Sequence, residues 1–249
     1  MKKYFLIALL SISILSQCSK KDVIITPPPE DLNNKSVGFS ANDFLSAAKY
    51  SSINVQLQYM PGYAPNAAAL DNITSFLMTY INKPGGINIT QTPIAASGKT
   101  VLALADLSAI EKANRTQFTS GTVLSVYLLY ADAAYTPTNT VGVAYKNTSI
   151  VVFGPTVASN SGGINQTSRT RLETVIIEHE FGHLLGLTNL GSPMVTPHED
   201  DSHKGHCINT ACLMYYITQT SVMGGVLVNS PLPQLDANCK ADLHANGGK

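Results

Sequence analysis

"HEFGHLLGLTN", residues 179–189, is the stretch on which the reading of the whole chain turns. Its two histidines, His179 and His183, stand four residues apart, so on a helix their Cβ atoms share one face at a separation of about 5 to 6 Å. Imidazoles so placed can both reach a single zinc ion at about 2.0 to 2.1 Å. Glu180 sits one step round the helix, off the metal but near enough to take a proton from a water that the metal has acidified. The competing reading is a buried structural histidine pair. Gly186 follows three residues after His183, where a glycine open to φ > 0 ends a helix and turns the chain back. The helix itself is expected over about Thr167 to Leu185, opened by a Thr-Ser cap and carrying Leu172, Val175, Ile176, Phe181 and Leu184 on its apolar face.

The rest of the chain sets the context for this helix. Its 249 residues are 44% hydrophobic and 13% charged, with sixteen basic against sixteen acidic side chains. That length suits one domain, or one domain with a smaller subdomain, and buries a sizeable core. A net charge of zero offers no electrostatic case for nucleic acid as a partner. Residues 1–18 combine Lys2 and Lys3, an apolar run from Tyr4 to Leu15, and "LSQC" ending at Cys18. The run is too short to span a bilayer as a mature helix and reads as a signal-peptide core. It resembles a bacterial lipoprotein signal, which implies acylation of Cys18 and a membrane anchor; Ser19 after the cysteine implies the outer membrane, and secretion is the alternative. Residues 19–38, with a triple proline, are expected to be a disordered tether. Residues 39–243 should form the domain and 244–249 a loose tail.

Within that domain α and β segments alternate, giving an α+β chain. Period-two patterning marks Ile53 to Tyr59 as a strand, and "INIT" as a second, with a helix over Pro65 to Ile81 between them. Residues 102–115 have helical character. Thr122 to Tyr130 is rich in β-branched and aromatic residues, as a central strand is. "TVGVAY" and "TSIVVF" flank "KNT" as a hairpin.

The pattern His179-Glu180-x-x-His183-x-x-Gly186 resembles a metzincin-type zinc metalloprotease. The resemblance implies a mixed twisted sheet with a backing helix and an active-site helix in an upper subdomain, about 39–186. It also implies a lower subdomain, about 187–243, with a Met-turn, and an edge strand in 140–153 that offers its backbone to an extended peptide. The family then expects His or Asp where this chain has Asn189, and an amide oxygen is a poor zinc ligand. "PHEDDSHKGHC" downstream offers His198, Glu199, Asp200, Asp201, His203 and His206 instead. Archaemetzincins, a metzincin subfamily, place a Cys directly after the third ligand, then four residues, a Cys, one residue and the methionine. "HCINTACLM" has that spacing in His206, Cys207, Cys212 and Met214. The resemblance thus favours His206 as third ligand over His198, and both over Asn189. Nineteen residues then separate Gly186 from His206 where the family usually has two. The added closure entropy is roughly 2 kcal/mol, small beside zinc binding at on the order of 10 kcal/mol.

The same resemblance assigns Met214 to the apolar floor under the zinc. It makes Tyr216 a donor to the oxyanion, with a buried strand tyrosine as the plain alternative. It also implies a second, structural zinc held by four cysteines, for which this chain supplies Cys207, Cys212 and Cys239 but has Asp236 in the fourth place. A disulfide of Cys212 or Cys207 with Cys239 and one spare thiol is the competing expectation. Taken together these readings imply a monomeric, envelope-anchored zinc endopeptidase with a peptide or protein substrate. A zinc-binding adhesin or carrier without turnover is the alternative.

Overall fold

Apolar and aromatic residues run through Val123–Ala131 without the alternation of a half-exposed strand, and all but the first are buried. Such a strand needs cover on both faces. The computed structural model, which describes residues 32–136 and 139–249, supplies it. Its elements are α1 (Ala41–Leu45), β1 (Ser52–Tyr59), α2 (Ala67–Tyr80), β2 (Ile87–Pro93), β3 (Val101–Leu102), α3 (Leu104–Asn114), β4 (Val123–Ala131), β5 (Ala134–Tyr135), β6 (Gly142–Lys146), β7 (Ser149–Phe153), α4 (Gly154–Ser159), α5 (Arg169–Leu184), a 3-10 turn (Tyr216–Gln219), α6 (Met223–Val226) and α7 (Ala237–Ala245). The main sheet has the order β2-β1-β4-β7-β6. Its first four strands are parallel, and β6 closes one edge antiparallel to β7.

Strand periodicity sorts β4 between two cores. Leu124, Val126, Leu128 and Tyr130 join the cluster shared with α2 and α5, while Tyr127, Leu129 and Ala131 join one with Leu102, Leu107 and Phe153. Helix α5 begins at Arg169, two residues inside the expected start, because Ser168 is its N-cap and accepts from Arg171 N at 3.3 Å. From Leu172 to Leu184 every residue is buried, so the helix has no solvent face. Its sheet-facing side packs against β6 and β7, and Leu213, Met214 and Leu235 of the lower segment belong to the same core.

The ends of the domain differ from expectation. Residues 32–38 are part of the fold rather than tether: Asn33 is 2% exposed. Its Nδ2 lies 2.9 Å from Thr119 Oγ1 and Thr148 Oγ1, and its Oδ1 accepts from Thr119 N at 3.0 Å. A polar composition reads as tether only while its groups have water as their sole partner, and here the protein supplies the bonds. The carboxyl end is likewise docked. Helix α7 extends through Ala245, Asn82 Nδ2 donates to Gly247 O at 2.8 Å, and Lys249 N donates to Tyr80 O at 2.9 Å. The signal segment 1–18, Cys18 and residues 19–31 lie outside the described residues.

Gly186 is where α5 must stop. Gly186 N donates to His183 O at 3.0 Å and Leu187 N to Gly182 O at 3.0 Å, the paired bonds of a Schellman cap, with Gly186 at φ +77°. A Cβ there would stand 2.5 Å from Ser192 N and 2.6 Å from Ala41 Cβ. Gly186→Ala is therefore expected to cost about 2 to 4 kcal/mol, combining a left-handed backbone with overpacking. Urea denaturation of the two proteins checks it, and a change below about 0.5 kcal/mol would show that the cap is not strained.

Candidate metal centre

The four-residue spacing on α5 brings His179 and His183 together as expected, with Nε2 atoms 3.1 Å apart. His206 arrives from the loop, its ring centroid 5.3 Å from that of His179 and 5.0 Å from that of His183. One nitrogen of each of the three lies within 4.8 Å of the others, and all three residues are buried. Two ligands bound tetrahedrally at about 2.0 to 2.1 Å stand roughly 3.3 Å apart, so the histidine pair has the spacing zinc needs.

The outer nitrogens fix which atoms face inward. His179 Nδ1 is 2.7 Å from Leu213 O, and His206 Nδ1 is 3.2 Å from both His203 O and Lys204 O. Carbonyls only accept, so these Nδ1 atoms carry the protons and each Nε2 presents a lone pair. His206 Nε2 is buried with no protein partner. Burial pushes the His179 imidazole down to about 3 and His183 well below its ordinary value, and lowers His206, so all three are neutral donors. The donor set and its orphaned nitrogen fit zinc.

Glu180 is fully buried beside them. Its Oε2 accepts from Ala144 N of β6 at 2.6 Å, and its Oε1 has no protein partner. Burial pushes this carboxyl up to about 8, against the lowering effect of the Ala144 bond. Met214 packs against Gly182 of α5: a Cβ added at Gly182 would meet Met214 Sδ at 2.3 Å. A side chain at 182 would displace the sulfur from beneath the helix.

The loop explains why the motif looks broken. Asn189 sits in a left-handed turn at φ +69° and is exposed, outside the histidine group. Thr188 Oγ1 donates to Gly205 O, so the chain leaves the site after Thr188 and comes back beside it. In between, His198–Asp200 pairs with His206–Ile208: Asp200 N donates to His206 O at 2.7 Å and Ile208 N to His198 O at 3.0 Å. The acidic residues serve this excursion. Asp200 accepts from His203 at 2.8 Å, Glu199 from Gly205 N at 3.0 Å, and Asp201 pairs with Lys204 at 2.8 Å. His198 does not approach the three histidines; it lies with Cys207, Asp236 and Cys239.

Two further expectations are corrected. Tyr216 begins a 3-10 turn rather than lying in a strand, and its ring stacks on His203 at 3.5 Å with an interplanar angle of 2°. Cys207, Cys212 and Cys239 are free and buried, with no disulfide among the described residues. Hydrogen bonds from Cys207 and Cys239 hold the Cys212 thiol well below the usual thiol range. Asp236 caps α7, its Oδ1 accepting from Cys239 N at 2.9 Å, while its Oδ2 accepts from Asn209 Nδ2 at 3.0 Å and from Cys207 Sγ at 3.3 Å, and it groups with His198, Cys207 and Cys239. Neither the His203 stack nor the placement of His198 has a signal in the sequence, because both follow from where the loop returns.

No protein-family model matches this chain, and no curated protein matches it. Among solved structures its fold is similar to that of archaemetzincin from Methanopyrus kandleri, with a TM-score of 0.53 and 16% identity, over 79% of this chain and 96% of that one. Metalloproteinase-II from Bacteroides fragilis aligns with a TM-score of 0.43 and 16% identity, over 80% of this chain and 55% of that one. The chain thus has an archaemetzincin-like fold, with a mostly parallel twisted sheet and flanking helices.

Proposed function

We propose that this protein is a zinc-dependent endopeptidase held at the bacterial cell envelope through its amino terminus. The observation that carries the reading is the convergence of three buried, neutral imidazoles beside a buried glutamate that has one free oxygen. His179, His183 and His206 would hold the ion, with Asn189 outside the group. Bound there, zinc supplies Lewis acidity toward a carbonyl oxygen and toward water. Glu180 takes the proton of the attacking water at Oε1 and delivers it to the leaving amine, while Ala144 N keeps its Oε2 fixed. The free edge of β6 offers backbone groups to an extended peptide, which aligns the scissile bond beside the glutamate. Met214 keeps the floor of the site apolar. Tyr216, whose ring stacks on His203, is the candidate donor to the oxyanion.

Zinc removal tests this reading. The full chain, isolated from membranes with detergent as an acylated Cys18 requires, should cleave a denatured protein. It should lose that activity on chelation and recover it with zinc. A protein that binds zinc but cleaves no member of a broad peptide library would be a binding protein, and recovery from the soluble fraction would remove the anchor.

A further inference from the structure

Glu178 is 6% exposed, and among the described residues no donor reaches its carboxyl. A carboxylate so placed has left water without gaining a partner, which is unfavourable unless something else supplies one. It opens onto a groove between α2 and α5, lined also by Asn72, Ser75, Thr79, Tyr80, Thr174 and Gln234. One step before His179, it lies about 100° round α5 from that ligand. None of the three metal-site histidines lines the groove.

The other polar groups of the groove turn hydrogens inward. Ser75 Oγ donates to Asp71 O and Thr79 Oγ1 to Ser75 O, each at 2.9 Å. Asn72 Nδ2 donates to Thr174 Oγ1 at 3.1 Å, and Gln234 Nε2 to Pro233 O at 3.1 Å. What they chiefly leave to a ligand is hydroxyl lone pairs and amide carbonyl oxygens, grouped about one carboxyl. No lysine, arginine or histidine lines the groove, so no cation of this chain balances that charge. Phe76 and Tyr80, edge to face with ring centroids 5.1 Å apart, add aromatic surface of the kind against which cations pack.

We propose that this groove docks the side chain of an arginine or lysine from a protein partner, its guanidinium or ammonium meeting Glu178 and the outward oxygens of α2. Both head groups carry several donors and no acceptor, the complement of this lining, and both have apolar stems that lie along aromatic surface. At about 280 Å³ the groove is smaller than the roughly 300 to 1,000 Å³ of small-molecule pockets, and it suits one side chain. Asn72, Ser75 and Thr79 are exposed on α2, so a partner reaches them without movement of the fold. The site stands apart from the metal centre and does not depend on what that centre does.

Titration calorimetry of the full chain tests this with acetyl-Gly-Arg-Gly-amide, n-butylguanidinium and tetramethylammonium, the last carrying the charge without an N–H donor. The peptide should bind one per chain, at least as tightly as butylguanidinium and by about 10-fold or more over tetramethylammonium, the worth of a hydrogen bond to a charged group. Glu178→Gln, nearly isosteric, should weaken the peptide by about 10-fold or more for the same reason. Thr79→Lys, at an exposed helical position that the fold does not rely on, should weaken it as well by seating its own ammonium in the groove. A peptide held instead in the cleft beside the three histidines would bind both variants as it binds wild type. That result overturns the proposal, as does peptide binding no tighter than that of tetramethylammonium, or binding of butylguanidinium with the peptide excluded.

Discussion

Glu180→Gln is expected to leave zinc content unchanged while hydrolysis of a denatured protein falls by about 100- to 10,000-fold, the range a positioned general base contributes. The substitution is nearly isosteric at a position with no exposed surface, and the amide oxygen still accepts from Ala144 N, so packing and the β6 contact survive. What disappears is basicity at the oxygen that has no protein partner. The measurement is zinc per chain beside the rate of cleavage, wild type against variant. Unchanged cleavage would show that proton transfer does not pass through this side chain.

The second large effect is on the metal. His206→Ala leaves the first site with two imidazoles from one helix, and its affinity for zinc should fall by more than the roughly 10- to 100-fold that loss of an outer partner costs. Asn189→Ala should bind as wild type does, because that side chain is exposed and outside the histidine group. Competition with a chromophoric chelator compares them. Retention by His206→Ala with loss in Asn189→Ala would return the third ligand to the position the uninterrupted motif gives it.

Much of the fold was legible because its signals are local. Period-two runs became β1 and β2, the β-branched stretch became β4, and "TVGVAY" and "TSIVVF" became the β6–β7 hairpin. The pair His179 and His183 was legible for the same reason, since a helix brings every fourth residue round to the same face. Asn33 and Lys249 were misread because their partners, Thr119 and Tyr80, are far along the chain, and composition carries no record of which distant groups will satisfy a polar side chain.

The division is sharpest at the loop. Sequence alone determined the helix, its glutamate and its glycine stop, and disfavoured Asn189 as the third ligand, because each depends on residues within one or two turns of each other. It left His206 and His198 as rivals for one place. Only the tertiary structure separated them: the bond from Thr188 to Gly205 and the pairing of 198–200 with 206–208 set where the chain comes back. That return delivers His206 to the two helical histidines and carries His198 to the thiols, so both are placed by long-range closure rather than by spacing.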